Sequence, residues 1–243
     1  MKYFAAVTVV ALLLVTASTA DAATIKATFN GVEKSDGVSY KIGGGTSKNT
    51  TAGRFKWTRT GGSWTDDPIY YDAPNKKFFA FCVDLADTVK NGSNYTYNLA
   101  ASATVFGSAK ATDLALLWEN AYSESLTWAA ADAQAFQAVV WEIVYETAST
   151  YDLGSGNFEL TGLDTTGGSS SAASKASEWI GKLNNDQWTD FATLVVMYGD
   201  AQDQIFEVEG GGDNFVPLPS SALAGIAFLG LLGLVRVRRK RHL

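Results

Sequence analysis

The sequence predicts an α+β fold: a β-sheet, closed as a barrel or stacked as a sandwich, with a helical section inserted between its strands. Three observations carry this. Residues 24–99 form short apolar or alternating runs punctuated by Gly- and Asp-bearing turns, residues 111–183 switch to helical spacing, and residues 191–208 return to strand character. Hydrophobic residues make up 47% of the 243-residue chain and aromatics 12%, against 18% charged, so there is ample material for a packed core and disorder is not expected.

The strand runs are Thr24 to Phe29, Val38 to Ile42, Arg54 to Thr58, Lys77 to Leu85 and Tyr95 to Tyr97. Ser35-Asp36-Gly37, Gly43-Gly44-Gly45 and Gly61-Gly62 are expected to be turns between them. Helical spacing covers Ala111 to Tyr122, Ala129 to Thr147 and, more weakly, Ala172 to Leu183, with a polar loop over Thr165 to Ser171. Phe191 to Tyr198 and Gln204 to Val208 complete the strands.

Composition removes several classes of chemistry. The single His, His242, is next to last in a basic tail, so no Ser-His-Asp or Cys-His dyad and no His-containing zinc site is expected in the folded part. The single Cys, Cys82, excludes an intrachain disulfide, a redox Cys pair and a thiolate cluster. No cofactor or metal is called for, and the chain is not expected to be an enzyme.

Both ends carry addresses. Met1-Lys2, an apolar run from Tyr3 through Val15 and the small-residue site Ala20-Asp21-Ala22 make a secretory signal peptide over residues 1–22. Gly210-Gly211-Gly212 opens a linker over residues 210–215. Then come Val216-Pro217-Leu218-Pro219, an apolar stretch to Val235, and Arg236, Arg238, Arg239, Lys240 and Arg241. From Leu218 to Val235 the segment has 18 residues, near the minimum for a membrane-crossing helix, and the cations place its far end in the cytoplasm. The order of short Pro motif, apolar helix and Arg-rich end resembles the PEP-CTERM sorting signals of Gram-negative bacteria, in a VPLPA-type form. That resemblance implies an exosortase-type protease as partner, a transient stay in the inner membrane and delivery to the cell surface or extracellular matrix. A plain single-pass anchor is the alternative, and it too keeps residues 23–209 outside. Between the two addresses, residues 23–215 hold thirteen basic against twenty-four acidic residues, a net of −11, which disfavours nucleic acid as a partner.

The chemistry centres on two segments. In Phe78-Phe79-Ala80-Phe81-Cys82-Val83-Asp84-Leu85, alternation places Phe78, Ala80, Cys82 and Asp84 on one face and Phe79, Phe81, Val83 and Leu85 on the other. Both faces are mostly apolar, so the strand is expected to be central and Cys82 shielded. In the helix from Ala133 to Val144, Ala133, Phe136, Val140, Ile143 and Val144 share an arc with Trp141 at its edge, and Glu142 and Glu146 fall opposite. Gln137 lies inside the apolar arc, where an unpaired carboxamide costs about 1–3 kcal/mol. It either caps a buried backbone group or does not remain a Gln.

Phe-Cys-Val-Asp at 81–84 followed by Phe-Gln-Ala-Val-Val-Trp-Glu-Ile at 136–143 resembles the thioester domains of Gram-positive surface adhesins. The resemblance spans roughly residues 77–147. It implies an internal thioester between Cys82 and Gln137, with Trp141 and Glu142 at the flanking motif positions and Phe78, Phe136 and Trp141 shielding the bond from water. An amine or hydroxyl on a surface protein or polysaccharide would be captured once, as an amide or ester at residue 137. Asp84 and Glu142 are candidate proton carriers, Glu142 the weaker because of its helix face. The alternative is a structural or carbohydrate-binding matrix protein with a free, buried Cys82.

Other signals are weaker. Trp57, Trp64, Tyr70 and Tyr71 suit either a sugar-stacking platform or ordinary packing. The turn from Asp152 to Asn157 suits weak calcium binding or a plain loop.

Overall fold

The computed structural model describes residues 23–209 apart from Glu124 and Asp200. The signal peptide, the Gly-rich linker and the sorting signal, with Val216, Pro217, Leu218, Pro219 and the cations from Arg236 to Arg241, lie outside the described residues. Among the described residues no helix is long and apolar enough to cross a membrane.

The described residues form a mixed α/β unit with one large antiparallel sheet and four α-helices. Its strands are β1 (Thr24–Ile42), β2 (Lys48–Gly61), β3 (Tyr70–Asp72), β4 (Lys77–Cys82), β5 (Asn94–Ala101), β6 (Phe158–Thr161), β7 (Leu194–Tyr198) and β8 (Gln204–Glu207). Helices α1 (Ser102–Phe106), α2 (Ser108–Ala121) and α3 (Ala130–Tyr145) follow β5, and α4 (Ala172–Asn184) lies between β6 and β7. The helical section therefore interrupts the strands, as the switch in period predicts. The strand order is β2-β1-β5-β7-β8-β4-β3 with β6 on β1, and β2 also pairs β4, so the path returns to its start. One core cluster gathers Ile25, Phe29, Trp57, Phe78, Cys82, Tyr97, Met197 and Phe206 from the strands. A second joins the opposite strand faces (Phe81, Val83, Val196, Ile205) to α2, α3 and α4.

Two expectations change. Ser35-Asp36-Gly37 is not a hairpin turn but part of β1, still paired with Thr51 and Ala52. The extra residues are absorbed as irregularities in register at 29–32 and 33–36, which shift the buried positions from Ile25, Ala27 and Phe29 to Val38 and Tyr40. Gly53 permits this: a Cβ there would sit 2.5 Å from that of Ser35. The strand from Lys77 ends at Cys82 rather than Leu85, because its neighbours leave it there. β2 pairs only as far as Phe55↔Ala80, and β8 only as far as Cys82↔Gln204.

Helix α3 is buried on nearly every side, from Ala133 through Ile143. Glu142 and Glu146, on the face opposite the apolar arc, are 0% and 2% exposed. The turn after the helix folds over that face. Glu146 accepts N–H groups from Thr147, Ala148, Asn157 and Phe158, and Glu142 accepts that of Asp152 at 2.7 Å. Gly156 passes so close to the Glu146 carboxylate that a Cβ would collide with it.

Candidate functional site

Where β2 departs from β4, the N–H and C=O of Cys82 have no strand beside them on that edge. Gln137 from α3 takes both. Its Oε1 accepts the Cys82 N–H at 2.9 Å, and its Nε2 donates to the Cys82 carbonyl at 2.8 Å. A carboxamide offers the same donor and acceptor as a peptide group, so Gln137 acts as a one-residue strand neighbour. Cys82 and Gln137 are both 0% exposed. The two residues singled out from sequence, 55 positions apart, therefore meet in a dry interior.

Gln137, Trp141 and Tyr145 follow at intervals of four on one face of α3, and that stripe runs along residues 82–85. Trp141 shares the core cluster with Cys82 and is 0% exposed. The Tyr145 hydroxyl accepts the Leu85 N–H at 2.8 Å and donates to the Val83 carbonyl at 3.4 Å. The Cys82 thiol donates to the Asp84 carbonyl at 2.9 Å. Burial pushes the thiol pKa up to about 12; the Trp141 indole N–H and the Asp84 backbone work against that rise, while the charges of Asp84 and Asp203 add to it. At neutral pH Cys82 is thus a protonated thiol, and the Gln137 carbonyl beside it is polarised by the Cys82 N–H.

The surrounding polar groups were not legible in sequence. Tyr40 donates to the Leu85 carbonyl at 3.1 Å, Gln202 to the Asp84 carbonyl at 3.0 Å, and Val83 N–H to the Asp203 carbonyl at 3.0 Å. Gln204 lies directly across from Cys82 on β8, on the same sheet face, and is 0% exposed. Its Nε2 donates to Gln202 at 3.3 Å, and its Oε1 has no partner. A buried Gln at an alternating strand position is the same anomaly that marks Gln137, but Gln202 and Gln204 lie in a segment whose burial follows from the strand order, not from its own pattern.

The expected shield is placed in part. Phe78 and Trp141 share the cluster of Cys82. Phe136 does not: it lies in the second cluster, with its ring centroid 4.5 Å from that of Phe81, because one step along the helix from Gln137 turns it to the other face of the sheet. Of the proton carriers, Asp84 caps its own turn through the N–H groups of Ala86 and Asp87. Glu142 is tied to Asp152 on the far side of α3. Trp57 and Trp64 are core residues at 0% and 5% exposure, so they form no stacking platform. Asp152 turns its carboxylate onto Gly154 and Ser155 of its own loop.

No protein-family model, curated protein or solved structure matches the chain.

Glu142 gives a pH signature of the fold. Burial raises its pKa to about 7, the Asp152 N–H lowers it, and the nearby Glu146 and Asp152 charges raise it. The folded protein therefore holds a proton that the unfolded chain has released, and stability falls as pH rises from about 4.5 toward 7, by up to about 1.4 kcal/mol per pH unit. Glu142→Gln, neutral throughout, is expected to flatten this part of the stability profile and to be the more stable protein above pH 7. Urea melts at several pH values measure both.

Proposed function

We propose that residues 23–209 form an exported, adhesin-like domain that makes an internal thioester between Cys82 and Gln137 and uses it to capture an amine- or hydroxyl-bearing surface protein or polysaccharide. The observation that supports this most is the clamp of the Gln137 carboxamide on the backbone of the only cysteine, out of contact with water. Sulfur attacks the side-chain carbonyl carbon. The C–S bond forms, the C–N bond breaks, and the thiol proton leaves with nitrogen as ammonia. The Cys82 N–H on Oε1 is placed to stabilise charge developing on that oxygen. The incoming nucleophile reverses the exchange: its bond to the carbonyl forms, the C–S bond breaks, and Cys82 regains a proton. The event occurs once per molecule, so it is binding and not turnover. The two terminal addresses fit this use, with an exosortase-type protease sorting the domain from the inner membrane to the surface or matrix.

One observation favours a second reading. As an amide, Gln137 has good partners for both Oε1 and Nε2, which is all that a structural carboxamide needs. The protein would then be a structural or carbohydrate-binding matrix component with a free thiol. A cleft of about 620 Å³ lined by Tyr151, Leu160, Leu163, Thr165, Ser177 and Ile180 is where a glycan would sit.

Intact mass separates the two. The purified exported domain is expected to be lighter than its sequence by one ammonia, and methylamine should then add one methylamine at residue 137. Cys82→Ala should show neither change. A wild-type mass equal to that of the sequence leaves only the matrix protein, and a methylamine adduct mapped to Gln204 would overturn the assignment of the acyl group to Gln137.

A further inference from the structure

The Trp141 indole N–H is, with Gln204 Oε1, one of the buried polar groups near Cys82 left without a hydrogen bond. It is buried at 0% exposure and makes no hydrogen bond of normal geometry. An unmade bond of this kind costs about 1–3 kcal/mol. A phenyl ring fills part of the same space without a donor. Trp141 shares its buried core cluster with Cys82, and its indole N–H works against the rise that burial imposes on the thiol pKa. It belongs to the stripe of α3 whose preceding member, Gln137, fixes the Cys82 backbone and whose next member, Tyr145, fixes Val83 and Leu85. The N–H is thereby held in the same water-free interior as Cys82.

We propose that Trp141 is a catalytic residue of the acyl exchange, its indole N–H donating to the Cys82 sulfur when that atom carries negative charge. This rests on the thioester reading and goes beyond shielding, which any aromatic ring would supply. A neutral thiol is a weak acceptor, so the N–H is left nearly unpaired in the resting protein. When a nucleophile adds to the thioester, the C–S bond breaks and its electron pair passes to sulfur. The thiolate so formed lies in a region where burial disfavours charge, and the positive charge on the new C–N bond is lost as its proton moves to sulfur. Until that proton arrives, the indole N–H is the donor that holds the thiolate. The same contact favours the forward attack, in which the thiol proton must leave sulfur. A hydrogen bond that is weak in the resting state and strong in the charged one accelerates the step.

Trp141→Phe keeps the ring and removes the donor. It is expected to slow methylamine capture by about a hundredfold, the usual effect of losing one preorganised donor, while urea unfolding remains cooperative. Wild-type-like capture by the folded variant would overturn the proposal. A second measurement does not depend on the variant's folding. In the ¹⁵N-labelled wild-type domain after methylamine capture, the Trp141 indole N–H resonance should move as rising pH ionises the freed Cys82 thiol, and a resonance that stays in place while the thiol ionises would also overturn it. A wild-type protein without the ammonia deficit removes the thioester reading itself, a different result from a thioester whose reactivity ignores Trp141.

Discussion

Gln137→Leu should unfold at a free energy about 2–5 kcal/mol below that of Cys82→Ala, whose Gln137 stays an amide, and on the thioester reading it should abolish covalent capture. The side chain it replaces is the partner of both the N–H and the C=O of Cys82, at 2.9 and 2.8 Å, and leucine leaves two backbone groups unpaired in the interior. Each such group costs about 1–3 kcal/mol, and no solvent reaches the site to replace the lost bonds. On the same reading Cys82→Ala should abolish capture equally, but it removes only a small buried side chain and leaves the backbone clamp in place, so its stability loss should be clearly smaller. Urea unfolding of the two variants, beside their intact masses, therefore separates what Gln137 does for the fold from what it does for the chemistry. The clamp also shows what the reaction would change. When ammonia leaves, the bond from Nε2 to the Cys82 carbonyl is lost, whereas the bond from the Cys82 N–H to Oε1 has no reason to break.

Arg54→Met is expected to destabilise the domain by about 3–5 kcal/mol, the range for breaking a buried ion pair from one side. The guanidinium is completely buried. It pairs with Glu33 at 2.7 Å, donates to the carbonyls of Ser123 at 3.3 Å and Ser125 at 3.1 Å, and lies 3.7 Å from the centre of the Phe79 ring. Methionine fills part of the volume and supplies none of the donors. Because two of those donors hold the connection between α2 and α3, limited proteolysis near the exposed Leu126 should accelerate together with the loss of stability. Glu33→Gln should cost less, since Glu33 is partly exposed and Arg54 keeps its carbonyl acceptors.

Neither Arg54 nor the fate of Glu142 is visible along the chain, and the reason is common to both. Alternation and helical spacing report which residues avoid water on an element taken alone. They place Cys82, Ala80 and Phe78 on one face of β4, and the core cluster agrees; they also mark Gln137 as buried on α3, although its arc neighbours Phe136, Val140 and Ile143 pack in the second cluster. They fail where a third element covers the remaining face. The turn from Thr147 to Phe158 buries Glu142 and Glu146, and the α2–α3 connection closes over Arg54. The same limit explains β1. Ser35-Asp36-Gly37 has the composition of a turn, but β2 continues opposite it, and the ladder absorbs the extra residues as bulges.

By itself, the sequence determined that one cysteine lies on a strand with two apolar faces and that one glutamine sits out of place on an apolar helix arc. Those are properties of local pattern and composition. Only the tertiary structure decided that β2 leaves β4 after Phe55, so that a carboxamide from α3 completes the edge at Cys82, and that Gln202, Gln204, Tyr40 and Tyr145 close around the same turn. Strand order and the place where a ladder ends arise from contacts between residues far apart in sequence, and no local period encodes them.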